Sequence, residues 1–176
     1  MAESAPEQRP RASLPPAELA ARLDRILEAV ERLVAAVPVP YLQHRAPGGS
    51  SMRDLAFRAF RVGLGFADGM DGGRFPESWL SDLAPADLED GASVARYGAL
   101  VRGRLAGWFE GAGSGEYARV IDVCGAPLSG AALLARVTAH AAQCLRDVCA
   151  LVEDLGIAPP EWPSPADLEG LPAAIW

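Results

Sequence analysis

The sequence predicts an all-α protein, an up-down four-helix bundle with long Pro/Gly-rich connections. Three observations carry that prediction. Apolar residues recur at three- and four-residue steps in four separate stretches. The 15 prolines and 18 glycines gather largely between those stretches. No stretch alternates apolar and polar residues for long enough to make a convincing sheet. The 176 residues suit one domain, and 50% of them are apolar, enough for a real core.

Residues 1–14 are rich in Pro, Glu, Arg and Ser and are expected to form a flexible tail. The first helix follows Pro15 and Pro16, which suit a first helical turn. Leu19, Leu23, Ile26, Leu27, Val30, Leu33, Val34 and Val37 mark its apolar face, and Pro38 ends it. A Pro/Gly-rich loop leads to Ser51-Met-Arg-Asp54, a capping signature. The second helix buries Leu55, Ala56, Ala59, Phe60, Gly63 and Phe66, and stops in the run Gly-Met-Asp-Gly-Gly. A third helix is expected over roughly 88–110, where Gly98, Gly103 and Gly107 would permit close helix contact. The segment before Ser129 is β-branched in its middle and reads as a brief extended piece. From Ser129 the longest helix runs to a stop at Gly156. The bundle is thus expected over 15–157, with a Pro-rich segment, 158–176, packing back on it.

Charge and composition exclude several functions. The net charge is -7, and no basic run exists, so nucleic acid is not an expected partner. All 16 basic residues are Arg, which excludes Schiff-base lysines and a P-loop lysine. No apolar stretch is long enough to cross a membrane, and the N-terminus lacks a signal-peptide core. The expected location is therefore the cytoplasm. Cys124, Cys144 and Cys149 fit that compartment better than a disulfide framework. His44 and His140 are the only histidines, so a three-His metal site from one chain is impossible.

Two segments carry a family resemblance. S-M-R-D-L-A-F-R-A-F-R-V at 51–62 and V-T-A-H-A-A-Q-C-L-R-D-V-C-A-L-V-E-D-L-G-I at 137–157 resemble the second and last bundle helices of the DinB/YfiT-like family, related to mycothiol-dependent maleylpyruvate isomerases. The stretch E-D-G-A-S-V-A-R-Y-G-A-L-V-R-G-R-L-A-G-W-F is similar to that family's third helix. The resemblance implies a four-helix bundle with a divalent-metal site. One His would come from the second helix and two, four residues apart, from the last. This sequence keeps His140, places Cys144 where the second last-helix His belongs, and places Arg58 where the second-helix His belongs. A guanidinium stays protonated and offers no lone pair to a metal. The implied metal site is therefore degenerate, and neither a metal nor another cofactor is expected. A third ligand would have to come from Cys124, His44 or a carboxylate.

The altered site suggests other chemistry. Arg58 would clamp a carboxylate or polarise a carbonyl. His140 would serve as general acid or base. Cys144 would be a pocket residue or a nucleophile whose thiolate Arg58 favours. Trp79 and Trp162, in loops, would line a substrate pocket. Blander readings stand beside these. Cys144 and Cys149 are small apolar residues of a core, His140 is a hydrogen-bonded core histidine, Arg58 reaches Asp54 one turn back, His44 is exposed, and the tryptophans are packing anchors. The expected function is a metal-independent enzyme on a small organic molecule, anionic or carbonyl-bearing. The alternatives are a non-catalytic bundle that binds a small molecule or protein, and a thiol-dependent transferase or isomerase with a non-standard metal site. A homodimer is the expected assembly.

Overall fold

The structure, a computed structural model, describes residues 14–45, 49–159 and 161–171. The expected tail at 1–14 falls almost wholly outside them, as do the last five residues. Four long helices form the bundle: α1 (Pro16–Ala36), α2 (Met52–Gly72), α3 (Gly91–Gly111) and α5 (Gly130–Asp154). The shorter α4 (Ser114–Ala118) falls in the connection between α3 and α5, and α6 (Pro165–Leu168) follows α5.

The helix ends follow local chemistry. Ser51 accepts a hydrogen bond from the Asp54 backbone N–H and starts α2. Asp90 and Ser93 make a reciprocal capping box at the start of α3. Ser129 does the same work alone for α5. Gly73 and Gly156 both take left-handed backbone where α2 and α5 stop, a conformation that strains other residues.

α1 packs between α3 and α5, and so does α2, which leaves α1 and α2 diagonal across the core. Phe57 stacks on Tyr97 and Phe66 on Trp108, so α2 and α3 run the same way. Gly91 meets the Val34 carbonyl while Arg102 meets Asp24, so α1 and α3 run oppositely. Met70 sits on Gly130, so α2 and α5 also run oppositely. The directions are up, down, down, up.

Parallel neighbours need a connection as long as the helix itself, here ~30 Å. That is why residues 73–90 are long, and they travel back along α2. Trp79 lies over Gly65, Asp82 pairs with Arg61 at 2.9 Å, and the Ala84 N–H donates to Asp54 at 3.1 Å. Gly65 is required there, because a Cβ would come within 2.8 Å of the Trp79 ring.

A small sheet closes one end of the bundle. β1 (Arg74–Phe75) pairs in parallel with β2 (Val120–Val123), which pairs antiparallel with β3 (Ala126–Ser129). Ile121 and Val123 point inward and Val120 outward, the period of a half-buried strand. The turn between β2 and β3 places both Cys124 and Gly125 at positive φ. At the C-terminus, Glu161 and Asp167 pair with Arg32 and Arg25 of α1, at 2.8 and 2.6 Å. No described helix is long and apolar enough to cross a membrane.

Candidate functional site

Arg58, His140 and Cys144 meet where α2 faces α5. His140 and Cys144 are four residues apart on α5 and so share a face. Arg58 comes from α2, and its positive charge acts on both of them.

Burial decides the state of each group. His140 is half-buried, with Nε2 shut off from solvent. Desolvation first, and then the Arg58 charge, hold its pKa down at about 4 against an ordinary 6.5. The imidazole is therefore neutral at pH 7. Cys144 is 4% exposed, and burial pushes its thiol up to about 12. Arg58 pulls the other way but loses to desolvation, and Asp147 adds to the rise. The thiolate expected at Cys144 is therefore not formed at neutral pH, and the residue is a buried thiol. Cys149 is likewise held up, at about 11.

Arg58 is half-buried and forms no ion pair among the described residues. Its Nη2 donates to Ser50 Oγ at 3.4 Å, a long contact, and its buried Nε has no hydrogen-bond partner. Asp54, one turn away, is not its partner. That carboxylate is 8% exposed and accepts instead from Ser51 Oγ at 2.6 Å and from the Ala84 N–H.

The two tryptophans part company. Trp79 covers Gly65, two turns along the same strip of α2 as Arg58, ~10 Å along the axis. Its ring lies 4.5 Å below the Arg61 guanidinium and meets Phe75 edge-on. Trp162 lies against α1, in a groove of about 170 Å³ with Ile26, Ala29 and Leu145. The two therefore do not line one pocket. His44 is exposed, in the loop before α2. Cys124 is exposed at the sheet turn.

A divalent ion does not suit these residues. Among the described residues no three His, Cys, Asp or Glu side chains are grouped to hold one. Arg58 also brings permanent positive charge against the two donors of α5, of which Cys144 is protonated.

A larger cleft, about 460 Å³, went unforeseen. It opens beside the C-terminal end of α3, between Asp71, Trp108, Glu116 and Arg119. Trp108 Nε1 donates to Asp71 at 3.1 Å, and Arg104 pairs with the same carboxylate. Its walls come from residues 104–119, across α3 and α4, and from Asp71 at the far end of α2, so its closure depends on a partner distant in sequence.

No protein-family model matches the chain, and neither does any curated protein. Among solved structures it is similar to a DinB-like protein, YjoA, from Bacillus subtilis. The TM-score is 0.66 at 15% identity, over 84% of this chain and 99% of that one. The chain has a DinB-like fold. At that identity the likeness is one of fold, and in this chain the three-stranded sheet is a minor part beside the helices. The fold of this DinB-like bundle does not fix its chemistry, which depends on the side chains it brings together.

Proposed function

We propose that the protein is a metal-independent enzyme acting on a small organic molecule that carries a carboxylate or a reactive carbonyl. The observation that carries this reading is Arg58, a half-buried guanidinium without a carboxylate partner among the described residues. An unpaired buried cation is costly, and an anionic ligand would relieve that cost. The guanidinium offers a planar pair of donors, which matches a carboxylate bidentately or a carbonyl oxygen singly. His140, neutral at pH 7, would accept a proton from the substrate held beside it. Cys144, as a thiol, would shape the pocket rather than attack.

A second reading is ligand binding without turnover. Two observations favour it: the Cys144 thiol is not ionised, and an imidazole with a pKa of about 4 is a weak base.

The test is a panel of small carboxylates and carbonyl compounds, scored for affinity by calorimetry and for turnover by product analysis. Wild type, Arg58→Ala and His140→Ala are compared, with melting temperature as control. In the enzyme reading His140→Ala abolishes turnover and Arg58→Ala chiefly weakens binding. In the binding reading both variants lose affinity and no compound turns over. If neither variant changes affinity or turnover, the site is wrong.

A further inference from the structure

We infer that the solvent-facing side of α3 is a docking surface for a second copy of this chain, the two α3 helices lying antiparallel about Gly103. The inward face of α3 carries Val94, Val101, Leu105 and Trp108. On the opposite side Ala99, Leu100, Gly103, Ala106 and Gly107 are all exposed, Leu100 at 75%. The outer faces of α1 and α5 are different. α1 exposes Glu18, Asp24, Arg25 and Arg32, and α5 exposes Arg136, Arg146, Glu153 and Asp154. A surface helix ordinarily turns charge to water, so the bare face of α3 is the exception.

The charges that do border this face are self-complementary. Arg96 lies seven residues before Gly103 and Glu110 seven after it, both exposed and on the same side of the helix. The ion pairs of α3 among the described residues run instead through Arg102 and Arg104, which reach sideways to α1 and α2. In an antiparallel pair, residues equally distant from the crossing point in opposite directions meet. Arg96 then faces the partner's Glu110, and Glu110 faces the partner's Arg96, as a twofold interface requires. Gly103 and Gly107 have open space where a Cβ would stand. That space lets the two backbones approach and receives Leu100 from the other copy.

The charge balance also selects a second copy over an arbitrary partner. The chain carries a net charge of -7, so most approaches of two copies are repulsive. This face holds one Arg and one Glu and is neutral. A single helix pair ~30 Å long makes a small interface, so the dimer is weak and concentration-dependent.

Sedimentation velocity of the full chain at low ionic strength tests the inference, with melting temperature as a folding control. Wild type should move from 18.5 kDa toward twice that mass as concentration rises. Arg96→Glu and Glu110→Arg should each weaken the dimer at least tenfold, because each places like charges at both ends of the face. Leu100→Gln should weaken it too. Mixing Arg96→Glu with Glu110→Arg chains should restore a dimer, because in that heterodimer every pair is again opposite. A chain that stays monomeric at all concentrations overturns the inference. So does a dimer indifferent to these substitutions, or a mixture no tighter than its components.

Discussion

Gly98 and Gly103 lie on one helix, yet the same substitution should act on them in opposite directions. A Cβ at Gly98 would stand 2.4, 2.6 and 2.9 Å from three atoms of the Phe60 ring. Phe60 cannot retreat, since it is fully buried and its ring meets Tyr97 edge-on. Overpacking of this kind costs ~1–3 kcal/mol, and contacts this short belong at the upper end. Replacing a helical Gly by Ala returns about 1 kcal/mol of helix propensity. Gly98→Ala should therefore destabilise the protein by ~2 kcal/mol net. At Gly103 and Gly107 nothing lies within 4 Å of the added Cβ, so only the propensity gain remains. Gly103→Ala and Gly107→Ala should each stabilise by up to ~1 kcal/mol. Urea unfolding followed by circular dichroism measures all three, at a protein concentration low enough to keep the chain monomeric. Equal effects at Gly98 and Gly103 would mean that Phe60 yields to the added Cβ without cost.

Other expectations follow from the site. The folded state resists protonation of His140 until pH about 4, whereas the unfolded chain accepts the proton near 6.5, so the unfolded state binds more protons between those values. This group's contribution makes stability fall as pH drops through that window, by up to about 3 kcal/mol, and leaves it level above; urea midpoints of wild type against His140→Gln should diverge only there. Dialysis against a chelator should leave the melting temperature and ligand affinity unchanged, and elemental analysis should find no stoichiometric divalent ion. One Zn or Ni per chain, lost in Cys144→Ala, would contradict that. A thiol-disulfide reagent at pH 8 should modify the exposed Cys124 first, whereas Cys144, buried and held up at about 12, should react only on unfolding, as mass spectrometry of the labelled peptides will reveal.

Much of the bundle was legible because its signals are local. Pro15–Pro16 and Pro38 bracket α1, Ser51 and Ser129 cap the helices they precede, and Gly156 takes the left-handed turn expected of a helix stop. The apolar steps of α1 match its buried residues closely. The sheet was less legible, because its strands are two to four residues long and one partner, Arg74–Phe75, lies far away in sequence. Its only local sign was the β-branched Val-Ile-Asp-Val; the turn after it, Cys124-Gly125 with both residues at positive φ, puts a Cys where Asn, Asp or Gly is the usual signal. The parallel run of α2 and α3 left a trace only in the length of the connection between them. The three glycines of α3 looked alike in sequence. Only packing separates Gly98, against Phe60, from Gly103 and Gly107, which face outward. At the site, the family resemblance implied that Arg58 faces His140 and Cys144, which helical spacing sets on one face. It could not tell that burial would outweigh Arg58 at Cys144, because desolvation depends on all the surrounding helices at once.

In the proposed function, Arg58 and His140 form one electrostatic unit that receives an organic anion. Because the chain has only two histidines, their ring protons can be followed individually by NMR, with assignment by His44→Gln. The titration of His140 should be recorded in wild type and in Arg58→Gln. In wild type the midpoint should lie at about 4, and it should move upward when the guanidinium is removed. A His140 that titrates near 6.5 in both proteins would contradict it.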